Sequence, residues 1–281
     1  LPWRKLRHIK AQTPDRFEVL YQQSDVNPAA VLVDPLWVSG GVGKDGVDYV
    51  GCWDNDRDLW QIPQGVSGEL FVVATADPSP ANYWAIQCWA YNPETQFRYL
   101  LESYRRKMDA PSFLDWNHNE QQFTGIAEEW WQITNDMGRP ITHWIIEANA
   151  AQKFILQYDH FKRWAAMRGV ELVPHYTHSR NKGDPKYGVQ MLAPLWRVGR
   201  VRLPGKQRTE ARPHSLLLVN EVTRWNAEGT GARTDDCVMA QWFLEHNLEK
   251  LFVPKAAGVK QWRPSWVSGH DIDGTNLFAR S

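Results

Sequence analysis

The sequence predicts an α/β fold in which a mixed β-sheet is flanked by α-helices. Three observations predict it: short apolar runs that end at polar residues, Pro- and Asn-containing connections between the first three runs, and helical spacing of apolar residues between the later ones. Three strands joined by short turns indicate an antiparallel meander. Strands that alternate with helices indicate a layered domain in which helices cover the sheet.

The first three strands are expected after residue 68. Residues 1–68 are rich in Pro and clustered Gly, which is typical of irregular chain and predicts an N-terminal arm or linker that packs on the domain. The apolar run 70–76 ends at Asp77, and runs 83–89 and 97–104 follow as the second and third strands.

The later predicted elements are helices and strands in alternation, followed by helices. The tail after Pro254 is expected to be loop. The domain is therefore predicted to span residues 69–253, with a C-terminal tail over 254–281. The expected elements are, in chain order, a helix near Glu120–Asn135, a strand over Ile141–Ile146, a helix capped by Asn149 with apolar positions from Ala151 to Ala165 and an end at Gly169, a strand over Val170–Val173, a helix over Leu216–Val222, and a helix with Thr234 as N-cap that ends near Lys250.

Composition excludes several classes of protein. The chain has no run of 18 apolar residues and no signal-peptide pattern, which excludes a membrane span of the usual kind. Its three cysteines, Cys52, Cys88 and Cys237, are far apart and form no CxxC pair, which argues against a disulfide framework and a structural zinc site and favours a reduced, intracellular setting. The chain begins with Leu1, which predicts a fragment of a longer protein.

The charge is balanced overall but unevenly distributed. The 32 basic and 32 acidic residues cancel, yet residues 160–212 hold twelve Lys or Arg against three acids. Such a block suits a surface that meets a polyanion, although a solvated surface explains it equally well. The sixteen Trp residues could stack on bases or sugars, but Trp is more often core material, and most are assigned to packing.

Acidic residues stand at the ends of predicted elements. Asp77 follows one apolar strand and Glu147 another, where ligands gather in sheets of this kind. Asp235 and Asp236 open the last helix, where the helix dipole alone would favour acids, and Asp77 before a Pro could simply belong to a turn. Together these carboxylates suit Mg²⁺ or Mn²⁺, and two such ions hydrolyse phosphodiesters without a nucleophilic side chain.

At these residues the sequence resembles a known family. The order of acids and elements resembles the RNase H-like nuclease fold, and the local motifs resemble the nuclease domain of the large terminase subunit of tailed double-stranded DNA bacteriophages. The resemblance covers about residues 15–250. The matching segments are Val72–Pro78, Trp144–Asn149, Lys182–Pro194, Gly199–Pro204 and Thr234–Ala240.

The resemblance implies a divalent-metal-dependent endonuclease that cuts double-stranded viral DNA during genome packaging with low sequence specificity. It implies that Asp77, Glu147 and Asp236 are catalytic ligands of two Mg²⁺ or Mn²⁺ ions, with Asp235 as a further ligand or a hydrogen-bonding neighbour. The full-length proteins of this family carry an ATPase motor and work with a portal and a small terminase subunit in the host cytoplasm. This chain has no GxxxxGK[ST] motif, so no ATP hydrolysis is expected of it.

Basic residues between the two later acid motifs are candidates for contacts with DNA phosphates, which give affinity with little sequence information. They are Arg180, Lys182, Lys186, Arg197, Arg200, Arg202, Lys206 and Arg208. His175 and His178 have an HxxH spacing but no further ligands at zinc spacing, so they are interpreted as loop histidines.

Two other functions stay open on the sequence. A RuvC-like resolvase or another RNase H-like enzyme would share the order of acids and prefer branched DNA or RNA–DNA hybrids. A non-catalytic, Trp-rich binding module for carbohydrate or protein would show a groove of exposed Trp and no cluster of acids.

Overall fold

The computed structural model describes residues 31–66, 68–79, 83–149, 153–184, 186–226 and 234–252. Residues 1–30 of the predicted arm and the predicted tail over 254–281 lie outside the described residues. No helix in the described part of the chain is long and apolar enough to cross a membrane.

The strands are β1 (Gly41–Val42), β2 (Asp48–Tyr49), β3 (Trp53–Asp54), β4 (Phe71–Asp77), β5 (Tyr83–Asn92), β6 (Phe97–Lys107), β7 (Asp115–Asn117), β8 (Gln122–Thr124), β9 (Ile141–Glu147), β10 (Glu171–His175) and β11 (Val201–Pro204). The helices are α1 (Pro35–Ser39), α2 (Ala110–Phe113), α3 (Ile126–Asp136), α4 (Lys153–Gln157), α5 (Asp159–Arg168), α6 (Ser179–Lys182), α7 (Leu192–Arg197), α8 (Ala211–Val222) and α9 (Asp236–Leu251), with a 3₁₀ turn over Val189–Met191.

A seven-stranded mixed sheet organises the domain, in the order β10-β9-β4-β5-β6-β11-β3. Strand β5 runs antiparallel to its neighbours β4 and β6, and the remaining pairs of neighbours are parallel. The meander β4-β5-β6, followed by β9 and β10 on the other side of β4, confirms the RNase H-like mixed sheet flanked by helices. The chain between the parallel neighbours β9 and β10 forms the helices α4 and α5, since parallel neighbours need a crossover connection.

Each face of the sheet is covered by its own hydrophobic core. On one face, Val73 of β4 and Ile145 of β9 pack with helices α8 and α9. On the other face, Ala74 and Trp144 pack with helices α3 and α5. Since successive side chains of a strand point to opposite faces, both faces of β4 and β9 are buried, which explains their nearly continuous apolar sequence.

Residues 31–66, which belong to the predicted arm, extend this architecture. Strand β3 pairs with β11 and forms one edge of the sheet. Leu32, Val33 and Cys52 are buried in the core on the α9 face. The described part of the arm therefore contributes a strand and core residues to the same body.

The helix predicted from Glu120 begins only at Ile126. Residues 115–124 form the hairpin β7–β8, whose turn is held by the Asn117 side chain accepting from the backbone of Asn119 and Glu120. An Asn that bonds to the backbone ahead of it favours a turn over a helix. Gly125, at φ 102°, then separates the hairpin from α3.

The long helix predicted from Ala151 to Gly169 is two helices, α4 and α5. Tyr158 lies between them with extended backbone (ψ 115°), which interrupts the helical hydrogen bonds. Gly169 ends α5 in the left-handed conformation, as predicted (φ 69°, ψ 30°). The following strand continues two residues beyond Val173, to His175.

Candidate active site

Asp77 and Glu147 are the last residues of neighbouring parallel strands. Ala76 of β4 is in register with Ile146 of β9, so both strands end at the same edge of the sheet. Their carboxyl groups follow the alternation of Val73 and Ile145 and therefore face the side covered by α9. Glu147 is buried and Asp77 is partly buried.

The two carboxyl groups are electrostatically coupled. Burial, the charge of Glu147 and a hydrogen bond to Glu147 raise the pKa of Asp77 well above its usual value. The charges of Asp236 and Asp235 raise it further. Burial and the charges of the three other acids therefore favour the neutral form of Asp77 at this edge of the sheet.

Asn149 positions Glu147. Its side-chain Nδ2 donates to Oε1 of Glu147 at 2.9 Å, and its Oδ1 accepts from the backbone N–H of Thr177 at 3.1 Å. These bonds connect the ends of β9 and β10, and the helix cap at Asn149 stays a prediction. Residues 150–152, where the next helix would begin, lie outside the described residues.

Arg105 on β6 holds Asp236, and the sequence reasoning missed it. Its Nε lies 2.8 Å from Oδ2 of Asp236 and 3.3 Å from Oε1 of Glu221, and its guanidinium lies 4.6 Å from the ring centre of Tyr83. Arg105 and Asp77 are both in register with Ala85 of the intervening strand β5. The sequence signal that could have identified Arg105 is its position as a cationic residue near the end of a largely buried strand.

Glu221 on α8 forms the cap of α9. Its carboxylate accepts from the backbone N–H groups of Cys237 (2.7 Å) and Val238 (3.3 Å) and from the hydroxyl of Thr234 (2.9 Å). The prediction that Thr234 caps this helix is wrong, because Glu221 satisfies the free N–H groups and leaves the Thr234 hydroxyl as a donor. Burial raises the pKa of Glu221, and these hydrogen bonds oppose that effect.

Asp235 stands at the N-cap position of α9 without a side-chain bond to the helix. Its Oδ2 instead lies 2.7 Å from Nζ of Lys182 on α6. His178 fixes this short helix by a capping box, since its Nδ1 accepts from the Asn181 N–H while the Asn181 side chain accepts from His178. His178 is thus a loop residue, as interpreted, and caps α6, whereas His175 is the last residue of β10 and its interpretation as a loop histidine is wrong.

The site gathers carboxylates but balances two of them with cations. Arg105 holds Asp236 and Lys182 holds Asp235, while Asp77 is hydrogen-bonded to Glu147. In the described part of the chain, no three His, Cys, Asp or Glu side chains converge closely enough to hold a metal ion. The donor type nevertheless suits hard divalent cations, and such a cation offsets both the burial and the repulsion that raise the pKa of Asp77.

The predicted phosphate-binding residues divide into two groups. Lys182 lies at the acids, and Arg180 and Lys186 lie near it beside Tyr187 and His246. The others surround the far end of the sheet: Arg197 lies over Trp37, Arg200 binds the Thr95 carbonyl, Arg202 binds Asp54, Lys206 faces Asp58, and Arg208 is exposed in the loop after β11. This second group is far from the acids. The backbone N–H of Arg98 binds the Arg200 carbonyl, and Arg98 lies seven residues, or roughly 23 Å, along β6 from Arg105.

The tryptophans pack rather than line a groove. Trp84, Trp89, Trp130, Trp144, Trp164, Trp196 and Trp242 are fully buried, and no Trp is among the exposed large hydrophobic residues of the described ranges. The assignment of most tryptophans to packing is confirmed for these positions. The groove of exposed Trp that a non-catalytic binding module predicts is not found there.

His175 is a buried neutral imidazole next to the site. It packs between Trp242 and Phe243 (ring centres 4.8 and 4.5 Å away), and its Nδ1 accepts from the Asn247 side chain at 3.0 Å. Its Nε2 has no hydrogen-bond partner in the described residues. Burial, aided by the charges of His246, Lys250 and His178, lowers the pKa of His175 to about 3.

We expect His175 to make the protein acid-sensitive. The unfolded chain takes up a proton near pH 6.5 and the folded one only near pH 3, so this contribution to stability is complete above pH 6.5 and is lost as the pH falls. The loss amounts to about 3 kcal/mol between pH 7 and pH 4. Urea titrations across this range should show a correspondingly shallower fall for His175→Gln than for the wild type. His118→Gln, an exposed control, should leave the slope unchanged, and equal slopes for all three proteins would contradict the prediction.

No protein-family model matches the sequence, and no curated protein matches it. Among solved structures, the P22 large terminase nuclease domain is similar at a TM-score of 0.39 and 14% identity, over 70% of this chain and 92% of that one. The nuclease domain of the large terminase subunit of bacterial virus Sf6 is similar at 0.41 and 10%, over 77% and 98%, and a variant of it was solved with manganese and beta-thujaplicinol. The fowlpox virus Holliday junction resolvase is similar at 0.31 and 13%, over 65% and 100%. This chain spans 42% of the large terminase from a thermophilic bacteriophage.

Proposed function

We propose that this chain is a divalent-metal-dependent endonuclease that hydrolyses double-stranded DNA, of the kind that cuts viral DNA during genome packaging. The observation that carries the proposal is that Asp77 and Glu147 end neighbouring parallel strands and share a hydrogen bond, while the charges of Asp235 and Asp236 act on Asp77. The terminase-like motifs around these residues support the choice of substrate.

Asp77, Glu147 and Asp236 would hold the metal, with Asp235 beside them. Two bound Mg²⁺ or Mn²⁺ ions would polarise the phosphate of the substrate and lower the pKa of a bound water molecule. Each side chain has its own part in preparing the site. Asn149 keeps the Glu147 carboxylate turned toward Asp77, and Arg105 and Lys182 keep Asp236 and Asp235 in reach of the same edge.

The cations also matter for the substrate. Carboxylates repel phosphate, and Arg105 and Lys182 reduce the negative charge that an approaching DNA backbone meets. Arg105 and Lys182 each form an ion pair with an acid of the site, at distances of 2.8 and 2.7 Å. A nuclease of low sequence specificity needs such phosphate contacts and few contacts to bases.

The proposal is tested by incubating the 281-residue chain with supercoiled plasmid, linear duplex, a four-way junction and an RNA–DNA hybrid. We expect nicking and linearisation of plasmid and cleavage of plain duplex in Mg²⁺ or Mn²⁺, and none in EDTA. Loss of the electron paramagnetic resonance signal of free Mn²⁺ measures metal binding independently of cleavage. Cleavage that survives EDTA overturns the metal requirement, and cleavage confined to the junction or the hybrid overturns the choice of plain duplex in favour of a resolvase or hybrid nuclease.

A further inference from the structure

The ends of β5 and β6 carry a group of side chains that the predicted DNA-binding residues do not include. Tyr83 is in register with Lys107, and Arg105 lies two residues before Lys107 on the same strand. The Tyr83 ring centre lies 4.6 Å from the Arg105 guanidinium carbon and 5.8 Å from Lys107 Nζ. Tyr83 and Lys107 are exposed. Tyr83, Arg105 and Lys107 are called the strand-end cluster below.

The strand-end cluster lies beside the acids and on their face of the sheet. Asp77 and Arg105 flank Ala85 from the two neighbouring strands, which places their backbones about 10 Å apart. Lys107 lies two residues further along the same face, roughly 7 Å beyond Arg105. Arg105 also binds Asp236 directly, so the cluster is continuous with the site.

Lys107 is the cation of this group that is available to a ligand. Arg105 is engaged with Asp236 and Glu221, whereas Lys107 forms no ion pair with a carboxylate of the described residues. An exposed ammonium next to an aromatic face suits a nucleic-acid backbone, since the cation meets phosphate and the ring meets sugar or base. Successive nucleotides of a duplex strand rise about 3.4 Å, so Lys107 would meet a phosphate two or more nucleotides from one bound at the acids.

Much of the basic block is less suited to this task. Arg202 is held by Asp54, Arg200 by the Thr95 carbonyl, and Lys206 faces Asp58, all at the opposite end of the sheet. Their charges stabilise the edge formed by β3 and β11. Arg200, Arg202 and Lys206 are therefore engaged away from the acids, and Lys182 is the residue of the block that binds one of them.

We propose that the strand-end cluster is a contact for the DNA backbone, in which Lys107 and Tyr83 bind the strand next to the scissile phosphate. The inference rests on the proposed function, because it takes the acids as the place of cleavage. It adds a binding surface outside the acids and outside the basic block.

Arg106 provides a matched control within the same strand. It carries the same charge as Lys107 and is also exposed, but the alternation of side chains along the strand sends it to the other face of the sheet. There it lies over the ring of Tyr104 at 4.7 Å and lines a pocket with residues of β8 and α3. Replacing Arg106 or Lys107 by Ala therefore removes the same charge from the protein, but from opposite faces of the sheet.

The test is duplex binding by the whole chain in EDTA, measured by fluorescence anisotropy between about 50 and 200 mM salt. We expect Lys107→Ala to weaken binding and to reduce the slope of log affinity against log salt by about 0.9, the value of one phosphate contact. Tyr83→Ala is expected to weaken binding with a smaller change of slope, and Lys107→Arg to restore the slope. Arg106→Ala is expected to match the wild type in both respects.

Equal slopes for Lys107→Ala and Arg106→Ala, whether both reduced or both unchanged, overturn the inference, and so does a wild-type chain that does not bind duplex. Failure of the proposed function looks different. If the chain binds duplex through Lys107 but cleaves nothing in Mg²⁺ or Mn²⁺, the proposed DNA contact is supported and the proposed nuclease activity is contradicted. If the chain cleaves duplex but its duplex binding does not depend on Lys107, the proposed nuclease activity is supported and the proposed DNA contact is contradicted.

Discussion

Glu147→Gln and Asp77→Asn are each expected to lower the rate of metal-dependent duplex cleavage by about a thousandfold. Each substitution keeps the size of the side chain and removes one carboxylate that we propose holds the metal. A metal ion contributes several kcal/mol to the transition state of phosphodiester hydrolysis, and roughly 4 kcal/mol corresponds to that factor. Plasmid cleavage under single-turnover conditions measures the change, together with the midpoint of Mn²⁺ binding.

The control is Glu210→Gln, because the Glu210 side chain is 83% exposed and lies outside the cluster of acids. Its cleavage rate and Mn²⁺ binding should equal those of the wild type. Misfolding would be a trivial cause of inactivity, so thermal unfolding is measured as well. Asp77→Asn should not lower the melting temperature in EDTA at neutral pH, because burial and Glu147 already disfavour a charge on Asp77. A fully active Asp77→Asn or Glu147→Gln variant would remove these acids from the site.

The second large effect concerns the ion pair between Arg98 on β6 and Glu245 on α9. Nε of Arg98 lies 2.8 and 3.0 Å from the two carboxylate oxygens of Glu245, and Nη2 lies 2.7 Å from Oε2. Both side chains are buried. Arg98→Met leaves the Glu245 carboxylate in the core without a partner, and we expect the free energy of unfolding to fall by about 3–5 kcal/mol.

The double variant Arg98→Met with Glu245→Leu should recover most of this loss, since an apolar pair avoids the burial of a lone charge. Urea unfolding of the wild type, both single variants and the double variant separates the two contributions. Lys206→Ala removes an exposed partner, 3.8 Å from Asp58, and should cost less than about 1 kcal/mol. A double variant that is as unstable as Arg98→Met would show that packing, rather than an unpaired charge, causes the loss.

The two effects are linked through α9. This helix carries Asp236 at its first residue and Glu245 in its third turn, and it packs across β4 and β5. Gln87 of β5 also donates to the Cys237 carbonyl at 2.9 Å. The orientation of the last acid therefore depends on bonds that lie well away from it.

The strand ends and the acids on them follow from the sequence by itself. Buried strands such as 71–77 and 141–147 have both faces covered, so their sequences are almost continuously apolar and their polar last residues stand out. Parallel neighbours end at the same edge of a sheet, which brings Asp77 to Glu147. Local signals of this kind need no knowledge of the partners across the sheet.

Local signals were insufficient where a side chain had competing partners. Thr234 has the residue type of a helix cap, yet its hydroxyl donates to Glu221 and does not cap α9. Glu221 is fifteen residues from Asp236 in sequence, and its capping role arises because α8 and α9 pack side by side. Propensity describes what a residue can do and leaves open which neighbour it meets.

The face on which β6 presents its cations was decided only in the tertiary structure. The register of β5 with β6 shifts between Cys88 and Trp89, which pair with Glu102 and Leu100, so that Leu101 is an extra residue. A bulge of one residue reverses the alternation of the rest of the strand. Without it, Arg105 and Lys107 would point away from Asp77 and Asp236.

The chain sequence thus determined which acids the protein has at its strand ends, because burial and strand direction act locally. The tertiary structure decided which cations face those acids, because register, bulges and helix packing depend on residues far apart in the chain. Arg105 comes to the acids through the register of the sheet, and Lys182 through the placement of α6 beside the start of α9. Arg200 and Arg202 are drawn to the opposite edge by the carbonyl of Thr95 and the carboxylate of Asp54.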